Sequence, residues 1–207
     1  MTTSSNPRVL RRFIILMAIA TFVMFSIWTM VGQFKDVPDG DFEVRQGDIF
    51  LTDGKYEKAI ERFEEALVKQ PNHRGALSGK AVALIELEQY DEAETELGSL
   101  IDFLIRTLED DDITGRGALA AAYANRGIIK DRQERYEEAL KDYIESVRVD
   151  RDLAEGPGVI DRILYYEKEP SSILGRAEYL YKQLQLPESE RVMRRPEEDD
   201  KQRLYKP

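Results

Sequence analysis

The chain has 207 residues, enough for one ordinary domain with additional segments. It has no cysteine and a single histidine, His73, which excludes a disulfide, a thiolate nucleophile and any Cys- or multi-His metal site. The net charge is −10, and because the first 34 residues carry three arginines and no acid, the remainder holds −13. That acidity disfavours nucleic-acid binding, because phosphate contacts need clustered Lys and Arg.

An uncharged run near the N-terminus is the first predicted element. Residues 13–34, FIILMAIATFVMFSIWTMVGQF, would form a helix of about 33 Å, against a hydrocarbon core of about 30 Å. One alternative is a buried core helix, but such a helix would be amphipathic, whereas this run is apolar all round. The other is a removed signal peptide, but its apolar region is about 7–15 residues long and ends in small residues. The sequence therefore predicts a retained transmembrane helix at 13–34, between an N-terminal segment, 1–12, and a linker, 35–40.

The flanking charges of this run predict its orientation. Arg8, Arg11 and Arg12 precede the run, whereas acidic residues dominate positions 35–43. The positive-inside rule then places residues 1–12 in the cytoplasm. We therefore expect a single-pass protein of the bacterial inner membrane with its remaining residues in the periplasm.

One face of the predicted span carries small residues. At about 100° per residue, Ala18, Thr21, Phe25, Thr29 and Gly32 fall in one sector of the helix. Small residues let helices approach closely in lipid, so this sector is a candidate helix-packing face.

A motif then recurs three times along the chain. It occurs as KYEKAIERFEEAL, QYDEAETELGSL and RYEEALKDYIESV, aligned on Ala59, Ala93 and Ala139. In each copy a tyrosine stands three residues before the alanine and a large residue stands four residues after it. A small residue stands twelve residues before the alanine. These are Tyr56, Tyr90 and Tyr136; Phe63, Leu97 and Tyr143; and Gly47, Ala81 and Gly127. The first two copies are 34 residues apart, and the third follows after 46.

A period of 34 residues with two helices per unit is typical of tetratricopeptide repeats. Residues 41–152, which we call the repeat array, therefore resemble that family. The resemblance implies an all-α fold: the transmembrane helix, then a short α-solenoid of three repeats and a degenerate helical cap. The small residue of each first helix is expected to face the alanine of the second, as Gly47 faces Ala59, with Phe63 and Tyr143 between successive units.

The array departs from the family pattern at several places, including Leu100, which replaces the usual small residue of the second repeat. Lys130 stands where a large apolar residue is usual, and Arg151 where proline is usual. The second repeat contains 12 additional residues, which predict a second helix about two turns longer than normal that ends near Asp110. Asp110, Asp111 and Asp112 lack the spacing of a calcium loop and are expected to form a polar connection.

The C-terminal third holds no clean fourth repeat. Residues 153–186 show helical periodicity, with Ser171 or Ser172 as an N-cap, and are predicted to cap the array. Residues 187–207 form a charged tail. One prediction is a disordered tail; the other is an arm that becomes ordered on a partner through its four apolar residues, Val192, Met193, Leu204 and Tyr205.

The resemblance also implies a partner-binding groove on the first helices of the repeats. Its residues are expected to be Val44, Arg45, Asp48, Leu51, Ser78, Val82, Ile85, Ala124, Asn125, Ile128, Asp131 and Arg132. The family's carboxylate-binding positions correspond to Val44, Asp48, Gly79, Ala121 and Asn125, of which Asn125 alone matches. The small, apolar lining favours an apolar helix or an extended segment over an acidic tail. The alternative is that the protein's own C-terminal elements fill the groove.

The residues support a binding function over a catalytic one. No catalytic, metal or cofactor residues are predicted, and His73 is expected to be a solvated turn residue. The leading hypothesis is a membrane-anchored, non-enzymatic scaffold that binds protein partners and docks on, assembles or stabilises an inner-membrane complex of energy-transducing or secretion type. Neither nucleic acid nor a small-molecule substrate is expected. The alternatives are a cytosol-facing receptor, a transient assembly chaperone for membrane proteins, and the regulatory domain of an enzyme.

Overall fold

The computed structural model describes residues 7–33, 38–155, 172–196, 202, 204 and 205. Within these ranges the regular structure is helical throughout, which confirms the predicted all-α class. The chain divides into two compact units, residues up to Pro38 and residues from Asp39 onward.

The N-terminal unit is built around helix α1, Pro7–Gln33. It begins before the uncharged run because arginine is a good helix former, so residues 7–12 continue the same helix. Within the described residues, α1 is the one helix long and apolar enough to cross a membrane, and no part of its apolar window is buried in the protein. A signal sequence near the N-terminus passes the same test of helix length and hydropathy.

Helices of the second unit follow one another with short turns from α2 to α8. They are α2 (Asp41–Thr52), α3 (Tyr56–Lys69), α4 (Arg74–Glu86), α5 (Tyr90–Thr107), α6 (Ile113–Arg132), α7 (Tyr136–Val149), α8 (Arg151–Glu155) and α9 (Ile173–Leu184), with a 3₁₀ turn at Glu188–Glu190. Each helix from α2 to α7 packs on the next, while α2 contacts α4 and α4 contacts α6. Three helical hairpins therefore stack side by side, and α9 packs against α7 and α8.

The additional residues of the second repeat lengthen both helices around the connection. Helix α5 has 18 residues and ends at Thr107 rather than near Asp110. Helix α6 has 20 residues, against 13 in α4, and so takes up more of the insertion than α5 does. The two helices lengthen together because buried Leu104 and partly buried Leu108 at the end of α5 need an apolar cover. Asp112 caps α6 by accepting from the Gly115 N–H at 2.6 Å.

Phe63 occupies the space between the first two hairpins. Its side chain is fully buried. A methyl group added to Gly47 on α2 would lie 2.5 Å from Phe63 Cε1, and one added to Gly79 on α4 would also collide with this ring. The atoms nearest that methyl group are those of Phe63; the predicted contact between Gly47 and Ala59 stays a prediction. Gly127 has the same relation to the ring of Tyr143 in the third hairpin.

The turn inside each hairpin has one conformation throughout. Gly54, Glu88 and Glu134 have φ values of 70°, 60° and 63°. The residue after each donates back across the helix end, as from the Gln89 N–H to the Leu84 carbonyl at 2.9 Å. This is a Schellman motif with a left-handed residue, which satisfies carbonyls at the helix end.

Two polar residues, His73 and Lys130, are buried. The burial of His73 differs from the sequence prediction, and the contacts of Lys130 explain its departure from the family pattern. His73 is 9% exposed rather than solvated. It caps α4 through Nδ1, which accepts from the Ala76 N–H, and its Nε2 lies 2.9 Å from Asp41 Oδ1. Lys130 is also buried, and its Nζ lies 2.8 Å from Asp142 Oδ2. An ion pair inside the third hairpin therefore takes the place of the usual apolar contact.

Candidate peptide-binding groove

The predicted groove residues lie on α2, α4 and α6, the first helices of the three hairpins. Many of them are inside the protein rather than on an open surface. The buried ones are Val44, Ser78, Val82, Ile85, Ala124, Asn125, Ile128 and Asp131; Asp48, Leu51 and Arg132 are half-buried, and Arg45 is exposed. The cover over the α6 residues comes in part from the C-terminal region.

Asn125 holds the C-terminal region by its main chain. Asn125 Nδ2 donates to the Tyr205 carbonyl at 2.6 Å, and the Tyr205 N–H donates to Asn125 Oδ1 at 2.8 Å. The N–H and C=O of one residue point to the same side only where the backbone is extended, as in a β-strand. Asn125 is fully buried, so both amide groups are satisfied away from water.

Leu204 and Tyr205 add apolar contact to this pairing. Both are partly buried against a core of α6, α7, α8 and α9 residues that includes Ile128 and Tyr143. Leu204 also packs against the central core of α4, α5 and α6. We call Gln202, Leu204 and Tyr205 the tail contact. It lies against α6 as an extended peptide ligand would.

A buried ionic network lies beside the tail contact. Asp131 on α6 accepts from Arg176 Nε and a terminal Arg176 nitrogen, both at 2.7 Å, and from the Tyr143 hydroxyl at 3.0 Å. Arg176 also donates to the Met193 carbonyl at 3.0 Å. The network therefore links α6, α7, α9 and the segment after α9.

The Tyr143 hydroxyl couples this network to the tail contact. Burial, followed by the neighbouring Asp131 charge, raises the pKa of Tyr143 well above its ordinary value. The hydroxyl thus stays protonated and can donate to Asp131. Its oxygen accepts from Gln202 Nε2 at 3.1 Å. The side chains of Asn125, Tyr143, Asp131 and Arg176 thus offer hydrogen-bond donors and acceptors that can bind and orient a peptide.

Arg176 and Gln202 were missed by the sequence analysis. Arg176 lies on the capping helix, and its partner Asp131 is 45 residues earlier. A charged residue in the apolar stripe of α9 is the local signal that could have identified it. Val192 is exposed, whereas Met193, Leu204 and Tyr205, the other three proposed arm residues, pack on the protein itself.

The candidate packing face of α1 is exposed where its side chains are described. Phe25 is 60% exposed and its ring centroid lies 5.9 Å from that of Trp28. Thr21 and Thr29 donate to the carbonyls of Met17 and Ser26 at 2.9 Å. These hydroxyls are satisfied by the helix itself, which makes them compatible with lipid.

Comparisons with known proteins bear on the second unit. Family models described as tetratricopeptide repeat match residues 50–103 and residues 120–153. A search of curated proteins gave no match. Among solved structures, the chain is similar to the first TPR of Spaghetti (RPAP3) bound to the HSP90 peptide SRMEEVD, with 17% identity and a TM-score of 0.52 over 73% of this chain and 97% of that one.

A second solved structure is the NMR structure of the first TPR domain of the human RPAP3 protein, at 21% identity and a TM-score of 0.46, covering 56% of this chain and 82% of that one. The two family matches fall on the α2–α5 and α6–α8 regions and leave out the lengthened connection between them. The stacked hairpins, their periodic turns and these matches lead to one conclusion: residues 50–103 and 120–153 are tetratricopeptide repeats.

Proposed function

We propose that this protein is a membrane-anchored scaffold whose repeat array binds a protein partner in an inner-membrane complex from the periplasmic side. The observation that carries the proposal is the combination of one exposed apolar helix with a short array of interaction repeats. Such arrays are typically non-catalytic interaction modules. A complex of energy-transducing or secretion type would use the anchor to keep the array close to its partner.

The charges around α1 support the proposed orientation. Arg8, Arg11 and Arg12 lie at its N-terminal end, and an acidic chain follows its C-terminal end. Basic residues are retained on the cytoplasmic side of a span. A cytosol-facing receptor would need the opposite arrangement. Alkaline phosphatase fused after Pro207 is expected to be active, and activity of a cytoplasmic reporter alone at that position would overturn the periplasmic assignment.

We expect the partner of this chain to differ in chemistry from the peptide in the similar structure. That TPR domain is bound to the peptide SRMEEVD, which ends in acidic residues. The positions that the family resemblance assigns to carboxylate binding are Val44, Asp48, Gly79, Ala121 and Asn125 in this chain, and none is a cation. An Asp in such a position repels a carboxylate, so an apolar or basic partner segment is favoured.

Anchoring can be tested with substitutions in the middle of α1. Replacing both Ile19 and Phe22 by Arg costs about 2.5–3.5 kcal/mol per residue on translocon insertion scales. The double variant is expected to leave the membrane fraction in carbonate extraction, and the matched variant with Leu at both positions is expected to stay. The intact mass of the purified chain distinguishes a retained helix from a cleaved signal sequence, and a mass lacking α1 would exclude the anchor.

Partner binding can be tested from an accessible groove residue. Arg45 is exposed on α2, while Glu57 is exposed on α3, the second helix of the same hairpin. A photo-crosslinking amino acid at position 45 is expected to capture a membrane protein that also copurifies stoichiometrically in mild detergent. The same probe at position 57 serves as the control. Equal capture at both positions, or a chain that purifies alone, would refute the scaffold.

A further inference from the structure

Asn125 recognises a backbone and not a side chain. Its amide pairs with the N–H and C=O of Tyr205, groups that every residue except proline offers in an extended segment. Any such segment could form the same two hydrogen bonds. The site that holds the tail contact therefore has the hydrogen-bonding groups that an extended peptide needs, and Tyr205 of this chain uses them in this structure.

The apolar part of the site gives it some sequence preference. Leu204 lies where the central core and the core around Tyr143 meet, and it packs against both. A peptide that replaces the tail contact must therefore offer an apolar residue next to the residue held by Asn125. Without that side chain, the apolar atoms that Leu204 covers would be exposed to water.

Charge gives a second preference. The repeat array has 27 acidic against 16 basic residues, whereas the last seven residues, KQRLYKP, contain three basic residues and no acid. The net charges of these two parts of the sequence are therefore opposite, and opposite net charges favour association of the two parts. A competing peptide gains the same attraction only if basic residues flank its apolar residue.

We propose that the tail contact is an intramolecular ligand that keeps this groove closed, and that a partner opens it with an extended, basic segment built around an apolar residue. The binding-competent fraction of the protein is then small, and the apparent affinity for the partner is reduced by that fraction. The identity of the partner rests on the proposed scaffold function, but closure of the groove by the tail does not.

The test uses the full chain in mild detergent and a labelled peptide with the sequence of residues 200–207, DKQRLYKP. Peptide binding is measured by fluorescence anisotropy to the natural protein and to Leu204→Asp, which places a charge in the apolar contact and releases the tail. The control, Val192→Asp, introduces the same charge at an exposed residue of the same C-terminal region. Far-UV circular dichroism checks that all three proteins are folded.

The peptide is expected to bind Leu204→Asp at least about tenfold more tightly than the natural protein or the Val192→Asp control. A peptide with proline in place of the tyrosine lacks the N–H that Asn125 Oδ1 accepts, and it is expected to bind Leu204→Asp at least about tenfold more weakly. The acidic peptide SRMEEVD is expected not to compete. Equal binding to all three proteins, binding to none, or no loss with the proline peptide would overturn the proposal.

The outcomes separate this inference from the scaffold function. If the protein purifies without a partner but the peptide binds Leu204→Asp more tightly, the self-closed groove is supported and the scaffold proposal is refuted. If position 45 crosslinks to a partner but the peptide binds Leu204→Asp no more tightly, the scaffold proposal is supported and the self-closed groove is refuted.

Discussion

Replacing Arg176 by Met should destabilise the protein strongly, because it leaves Asp131 as a buried charge. Both side chains of the pair are 5% exposed, and two hydrogen bonds of 2.7 Å join them. After the substitution the Tyr143 hydroxyl is the one remaining donor to Asp131 among the contacts described above. Breaking a buried ion pair from one side costs about 3–5 kcal/mol.

The corresponding change in melting temperature is measurable. For a chain of this size, 1 kcal/mol shifts the midpoint by about 2–4 °C, so Arg176→Met should melt about 6–20 °C lower. Thermal unfolding in mild detergent, followed by far-UV circular dichroism, gives this value directly. Helix α1 stays folded in the detergent micelle and adds a constant helical signal to the circular dichroism.

A double variant separates the unpaired charge from the loss of packing. With Asp131→Leu added to Arg176→Met, no buried charge remains, and replacing a whole buried pair by apolar residues is often nearly neutral. The double variant should recover to within about 2 kcal/mol of the natural protein, the residual loss coming from the Tyr143 hydroxyl. If Arg176→Met costs under 1 kcal/mol, or the double variant is no more stable than the single one, the reasoning is wrong.

Three further predictions concern packing, capping and pH. Gly79→Val should lower the free energy of unfolding by about 1–3 kcal/mol, because its side chain collides with the Phe63 ring, and adding Phe63→Leu should restore part of the loss in urea unfolding. Ser172→Ala should cost about 1 kcal/mol in the same assay, because the hydroxyl caps α9 through the Gly175 N–H. The Gly115 N–H and then Arg74 hold the pKa of Asp112 in the folded protein below its usual 3.8. The ionised Asp112 therefore stabilises the fold above pH 3.8, and this stabilisation is lost as the pH falls through the pKa of the folded state. Asp112→Asn should flatten this loss of stability on the acid side.

Each of these predictions has a result that would contradict it. No relief of Gly79→Val by Phe63→Leu would show that the ring is not the obstacle. Unchanged stability of Ser172→Ala would mean that the cap contributes nothing to α9. An acid-side decline in Asp112→Asn as steep as in the natural protein would assign that pH dependence to other carboxylates.

The periodic features of the fold could be predicted from the sequence because they follow from local spacing. Ala59, Ala93 and Ala139 are all fully buried, at the intervals at which the motif recurs. A helix with a repeating apolar stripe must bury that stripe, whatever its neighbours are. The recurring hairpins therefore did not require knowledge of any long-range contact.

The polar contacts of the groove could not be predicted in the same way. Asn125 and Tyr205 are 80 residues apart, and Arg176 and Asp131 are 45 apart. Side-chain periodicity shows which face turns inward but not which distant polar group meets it there. The burial of His73 was missed for the same reason, because it depends on Asp41 from the preceding hairpin.

The left-handed turns have a consequence for how the sequence can vary. The same backbone conformation is made by Gly54 in one hairpin and by Glu88 and Glu134 in the other two. The left-handed conformation costs glutamate about 1–2 kcal/mol, whereas glycine loses more conformational freedom on folding. These two costs partly cancel, so exchange between glycine and glutamate at this position is close to neutral. The turn residue is therefore free to drift between repeats while the helix packing on either side preserves the turn itself.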